Sequence, residues 1–315
     1  MKETTNPALE NEALYAKSKV YIGRGLRAQS AGDIEEYQLW SSLALELLGK
    51  SALAKVHPAL VADPTHFHSL FAACGRQLSP DIKTIAAKTL FERLGHIDKA
   101  FDSRHQRFCE QMAIRRNSEL HSGESPFSGI AADTWENEYW GAIETILKMQ
   151  NESLESWLGA EHSKAPSNLI EQAREALERA IKHRIARCKE DFEKKHKDHN
   201  LRVKRIEESK SLRWWDVSKQ FNLSADSGEQ HDCPACTSKG FQAGALWRVD
   251  VSDEVDPDDS SVEYVDEVYV VEEFICPTCG FHLYGSKETS AADFPEEFIL
   301  REIREREFEP DYGND

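Results

Sequence analysis

Apolar side chains recur at three- and four-residue steps through most of the chain, and an alternating pattern appears only after residue 240. Leu9 to Arg27 sets Leu14, Tyr15, Val20, Ile22 and Leu26 among charges. Asp33 reads as an N-cap, with Glu36 at the capping-box position, opening a helix through Trp40, Leu43, Leu45, Leu47, Leu48 and Leu53. Thr65 to Leu78 and Asp81 to Leu94 predict two shorter helices separated by Ser79-Pro80. A further amphipathic helix is expected from Phe101, carrying Phe108, Met112, Ile114 and Leu120, and stopping at Gly123 and Pro126. Trp135 to Leu158 spaces Trp135, Tyr139, Trp140, Ile143, Ile146, Leu147, Leu154 and Trp157 as an inner face. The front half is predicted to be a helical bundle.

From Pro166 to about Asn222 the pattern changes. Ile170, Ala173, Leu177, Ile181, Ile185, Cys188 and Phe192 form a narrow apolar seam, which predicts a long helix, either a coiled coil or an arm across the bundle. Ala245 to Val251 and Tyr264 to Ile275 then alternate or run apolar as strands do, joined by an acidic loop from Asp253 to Asp259. Pro295 to Phe308 predicts a last amphipathic helix with Phe298, Ile299, Ile303 and Phe308 inward, followed by an acidic tail to Asp315. The expected class is mainly α, in three parts: a bundle over 1–164, a charged helical connector over 165–224, and a small β domain with a terminal helix over 225–315.

The net charge of −17 divides unevenly, as −4, +5 and −18 over those three parts. It therefore speaks to solubility more than to any one surface. Between Arg179 and Arg213 there are 13 Lys/Arg against six Asp/Glu, either a solvated face of mixed charge or an RNA-contacting stripe. Trp214-Trp215 after it can stack on bases or seal a domain junction. No run of 18 apolar residues and no apolar stretch behind a basic N-terminus occurs, so neither a membrane span nor a secretory signal is expected, and a cytoplasmic protein is.

Two groups of residues carry chemistry. The first is Arg116, Asn117 and His121, spaced Arg-Asn-x3-His at the end of the 101–123 helix. Asn117 and His121, four apart, share a helix face. Arg116 and His121, five apart, diverge on a regular helix; they converge if the last turn loosens, or if two copies of the chain share the site. The bland alternative is a solvated helix end, with Arg115 and Arg116 complementing the helix dipole.

This motif, with its helical flanks over about residues 8–160, resembles the HEPN family of helical-bundle domains, whose active members are metal-independent ribonucleases. The resemblance implies attack of a 2′-hydroxyl on the adjacent phosphate, leaving a cyclic phosphate. It gives Arg116 the transition-state charge, His121 the role of general acid or base, and Asn117 an orienting role. It further implies a dimer acting on RNA, as a toxin or antiviral-defence effector. The rival class is a non-enzymatic adaptor.

The second group is Cys233-Pro-Ala-Cys236 and Cys276-Pro-Thr-Cys279-Gly280, two CPxC knuckles that resemble the halves of a zinc ribbon. Each two-residue spacing lets both thiolates grip one tetrahedral ion. One structural zinc per chain is expected on Cys233, Cys236, Cys276 and Cys279, with Gly280 supplying a permissive backbone and Thr237 in the same place of the first knuckle. His231 and His282 are expected to be bystanders, and Cys74, Cys109 and Cys188 small buried hydrophobes. His66 and His68 bracket a helix start, where capping is expected. The acidity of the last part favours a protein partner or regulator there over direct RNA contact.

Overall fold

The computed structural model describes residues 6–252, 254 and 261–306, which are mainly helical with an antiparallel sheet towards the C-terminus. The acidic loop expected at 253–259 (Glu254 apart), Phe308 and the acidic tail lie outside the described residues. The chain folds as two compact units, Met1–Ala173 and Arg174–Asp315.

In the first unit, α1 (Asn11–Ser30) and α2 (Ile34–Val56) run antiparallel, the Asn11 amide donating to the Ser51 carbonyl at 2.8 Å. Asp33 caps α2 as expected, accepting from the Glu36 N–H at 2.9 Å. Glu36 does not close the capping box; its carboxylate accepts from Trp40 Nε1 at 3.0 Å. Then come α3 (Phe67–Ala73), α4 (Ala87–Ile97), α5 (Ser103–His121), α6 (Glu136–Met149) and α7 (Leu154–Leu158).

α3 stops short of Leu78 because Gly75, at φ 79°, turns left-handed and the Arg76 N–H reaches back to Phe71 O at 2.8 Å, a Schellman-type end. The expected helix from Asp81 begins only at Ala87. Before it, Thr84 bridges Ala62 and Ile85 is buried, so these β-branched residues run extended. All eight inner-face residues from Trp135 to Trp157 are buried, but Asn151, at φ 56°, breaks the expected single helix into α6 and α7. They share one core with Leu45, Leu48, Leu53, Leu90 and Leu94.

The second unit takes most of α8 (Lys164–Lys195), then α9 (His199–Ser209), α10 (Trp214–Phe221), β1 (Ser227–Asp232), β2 (Lys239–Val251), β3 (Val262–Ile275), β4 (His282–Tyr284), α11 (Gly285–Ala291) and β5 (Glu297–Glu305). The expected connector helix thus ends at Lys195, where Asp198 starts α9 by accepting from the Asn200 N–H at 2.8 Å. Its apolar seam is divided. Ile170 packs on the helical core, whereas Leu177, Ile181, Ile185, Cys188 and Phe192 pack on the core around the knuckle cysteines. That seam is consumed within the chain and is not available for a coiled coil.

The strands run in the order β1-β2-β3-β4, with β5 also against β3, and all pairings are antiparallel. Gly244 sits at a bulge where a Cβ would lie 1.6 Å from Val270 O, so only glycine allows this approach of β2 to β3.

The last segment is a correction. Residues 297–305 form a strand, not the expected amphipathic helix. Phe298 is buried, while Ile299 and Ile303, expected inward, are 53% and 62% exposed. The Glu/Arg pattern that reads as helical i,i+4 pairing instead makes cross-strand pairs, Arg301 with Asp266 and Arg304 with Glu263, each at 2.7 Å. A long β3 left unpaired beyond β4 needs a neighbour, and that need outweighs local helix preference.

Candidate functional site

The β1–β2 turn carries the first knuckle and the β3–β4 turn the second, and the sheet brings them face to face. Cys233 Sγ lies 3.6 Å from Cys279 Sγ, Cys236 Sγ lies 3.6 Å from Cys276 Sγ, and all four sulfurs lie within 4.8 Å of one another. These separations far exceed a disulfide bond, about 2.05 Å. They match the edge of a tetrahedron of thiolates about 2.3 Å from one ion, which is ~3.8 Å. Cys233, Cys236 and Cys276 are buried and Cys279 half-buried. The four sulfurs can hold a metal ion.

The two turns are built alike. Thr237 N–H bonds to Cys233 O at 2.9 Å and Gly280 N–H to Cys276 O at 2.8 Å, and both residues take positive φ, 62° and 78°. Thr237 therefore adopts the same left-handed conformation as Gly280, at a steric cost glycine does not bear. Ser238, fully buried, had no signal in the sequence. Its hydroxyl lies 2.7 Å from Cys236 Sγ and 3.4 Å from Cys276 Sγ, placed to donate to thiolate sulfurs. Hydrogen bonds from Cys233 and its neighbours hold the Cys276 thiol well below its ordinary range, while those with Cys236 and Cys276 push Cys233 well above it. Four crowded thiols cannot all ionise unaided; a divalent cation among them removes that conflict.

His231 and His282 contribute no ligand here. His282 Nε2 pairs with Glu273 at 2.5 Å, and His231 packs its ring on Phe294 at 4.7 Å. Cys188 borders the cysteine core, Cys109 is fully buried, and Cys74, expected buried, is exposed one residue past the end of α3. His66 is the N-cap residue of α3 but its side chain makes no cap; Nδ1 meets Ser69 Oγ at 2.8 Å.

At the other candidate site, Asp102 starts α5 by accepting from the Arg104 and His105 N–H groups at 3.1 and 2.9 Å. The helix stays regular to its end, with Ser122 N–H bonded to Ser118 O at 3.0 Å, so the last turn does not loosen. Asn117 and His121 face solvent, and His121 takes no hydrogen bond or ion pair among the described residues. Arg116 turns inward instead. Its side chain is 11% exposed, and Nη1 meets Glu46 Oε2 at 2.6 Å. Lys50 Nζ holds the other Glu46 oxygen at 2.7 Å and also donates to Thr84 Oγ1 at 2.9 Å. Burial alone would raise the Glu46 carboxyl, but Lys50 and Arg116 outweigh it and hold it below its ordinary range. Arg116 is therefore not a free surface cation, and it does not join Asn117 and His121 within one chain. Glu46 and Lys50, four apart on α2, are the partners the sequence did not disclose.

Comparisons with protein-family models, with curated proteins and with solved structures gave no match to this chain. Among the described residues no helix is long and apolar enough to cross a membrane.

Proposed function

We propose that the C-terminal sheet is a zinc ribbon and that the helical unit is a metal-independent endoribonuclease of HEPN type, acting as a dimer. The observation that carries the second part is the exposed pair Asn117 and His121 on one face at the end of α5, beside an Arg116 that Glu46 holds in a fixed orientation. An imidazole with no partner among the described residues is available to move a proton, and an exposed carboxamide can hold a phosphate oxygen or orient that ring. Four cysteines close the metal site, so the metal is structural and takes no part in cleavage.

Because α5 stays regular, the site needs groups from a second copy. Ile114 and Leu120, 66% and 49% exposed, border Asn117 and His121 and offer apolar area for a two-fold contact of α5 with itself. Light scattering is expected to give the mass of a dimer at the concentration where cleavage is measured. A monomer with full activity would overturn the shared site.

In the test of the chemistry, wild type and His121→Ala are incubated with RNA, with and without EDTA. His121 is exposed, so the substitution should leave the melting temperature unchanged. Cleavage is expected to fall by about 100-fold or more on loss of the proton-transfer group, and to leave cyclic phosphate ends. Equal cleavage by His121→Ala, or strict dependence on added Mg²⁺, would reject this reading. A wild-type protein that cuts no RNA favours the adaptor, a reading supported by the neutralisation of Arg116 in its pair with Glu46.

A further inference from the structure

The adjacent tryptophans at the start of α10 have separate fates. Trp214 is half-buried: its ring lies 5.9 Å from that of Phe241 and so close to Gly228 that a Cβ there would sit 2.4 Å from it. It seals the helix to the sheet. Trp215 does none of this and stands 74% exposed. Leaving so large a ring in water forgoes a large share of its hydrophobic stabilisation, and no neighbour within the unit claims it.

The stretch of chain that carries Trp215 is cationic within an otherwise acidic unit. Residues 194–219 hold nine Lys/Arg and four Asp/Glu, a net of +5, with His196 and His199 besides. Two of the acids are already engaged, Glu208 by Arg205 at 3.1 Å and Glu207 by Lys210 at 2.7 Å, while Asp216, next to Trp215, is exposed and takes no ion pair among the described residues. Lys195, Lys197, Arg213 and Lys219 are exposed and take no ion pair among the described residues. Lys219 lies one turn beyond Trp215 on the same face of α10, and Arg213 precedes it by two residues. An exposed π-face between free cations fits a polyanion that carries flat rings. A duplex hides its base faces, so the fit is to a single strand.

We propose that α10, with its N-cap Arg213, forms a docking surface for single-stranded RNA, in which Trp215 stacks on a base and Arg213 and Lys219 hold the adjacent phosphates. The choice of RNA over DNA rests on the nuclease reading above; the surface itself does not.

The test uses the full chain carrying His121→Ala, so that the ligand stays intact, and fluorescence anisotropy with a labelled oligouridine of about a dozen nucleotides. Trp215→Ala is expected to weaken binding about tenfold or more, with Trp215→Phe retaining most of it. Removal of Arg213 or Lys219 should each reduce the slope of log K against log salt by about 0.7. Equal binding by Trp215→Ala, equal affinity for a duplex of the same length, or no binding at all overturns the proposal. So does a co-purifying protein lost on Trp215→Ala with RNA affinity unchanged, which would give the surface to a protein partner. Binding is read apart from cleavage. A protein that binds through Trp215 but never cuts RNA keeps this surface and loses the nuclease reading, and one that cuts RNA but ignores Trp215 does the reverse.

Discussion

Replacing Cys276 with serine is expected to abolish metal binding and unfold the C-terminal sheet. Its sulfur is fully buried, 3.6 Å from Cys236 Sγ and within reach of the Ser238 hydroxyl. The core beneath it is small: Phe274, Phe281, Leu283 and Phe294 gather around the cysteines themselves, with Ile181 and Phe192 of α8. A structural zinc contributes on the order of 10 kcal/mol of apparent binding energy to such a site, comparable with the whole stability of a domain at about 5–15 kcal/mol. Losing it should therefore unfold the sheet outright. Elemental analysis should find one zinc per wild-type chain and almost none in the variant. Hydrogen exchange should lose protection over β1 to β5 while α1 to α6 keep theirs. Wild-type protein purified under reducing conditions that holds no metal, yet retains a protected sheet, would refute the four-thiolate site.

Glu46→Ala is expected to destabilise the helical unit by about 3–5 kcal/mol, the usual loss when one partner of a buried ion pair is removed. Glu46 neutralises two cations, Arg116 at 2.6 Å and Lys50 at 2.7 Å, whose side chains are only 11% and 10% exposed. Without it both are buried beside each other with no counter-charge. Arg116→Ala should do less harm, since Lys50 still satisfies the carboxylate. The pH dependence follows from the depressed Glu46 carboxyl. Its contribution is fully present above its ordinary value near 4.5 and disappears as pH falls through the lower folded value, so wild type should lose stability in acid more steeply than Glu46→Gln. Chemical denaturation monitored by helical circular dichroism measures both effects. A Glu46→Ala protein as stable as wild type would mean that the pair carries no structural weight and that Arg116 is free to act elsewhere. The result bears on the chemistry too: lost cleavage in Arg116→Ala mixes stability with catalysis, whereas exposed His121 separates them.

Much of the helical unit was legible because its helices carry their own signals. Asp33 caps where a short polar side chain can satisfy a free N–H group, and the Trp135–Trp157 spacing marks a face whose eight residues are all buried. The four cysteines were legible because their spacing is set by the ion they can hold. Less could be read where the deciding partner is far off in sequence. β1, Ser227 to Asp232, is almost wholly polar and becomes a strand only because β2 lies beside it. The inward turn of Arg116 depends on Glu46, 70 positions earlier, and no local pattern announces that pair.

The contrast between α5 and β5 shows where local information ends. By itself the sequence determined the extent of α5 to within two residues, since its apolar spacing and Gly123 stop are local signals, while the cap at Asp102 went unread. It also determined which four cysteines gather into one cluster. Which way the α5 side chains point was decided only by packing: α2 draws Arg116 into a buried pair and leaves Asn117 and His121 in water. Residues 297–305 went further, exchanging a helical pattern for a strand. Backbone hydrogen bonds to β3 and cross-strand pairs with Asp266 and Glu263 together exceed helix preferences worth only tenths of a kcal/mol per residue. Such preferences are local and weak, and a sheet edge left unpaired is a stronger, long-range demand that only the folded chain presents.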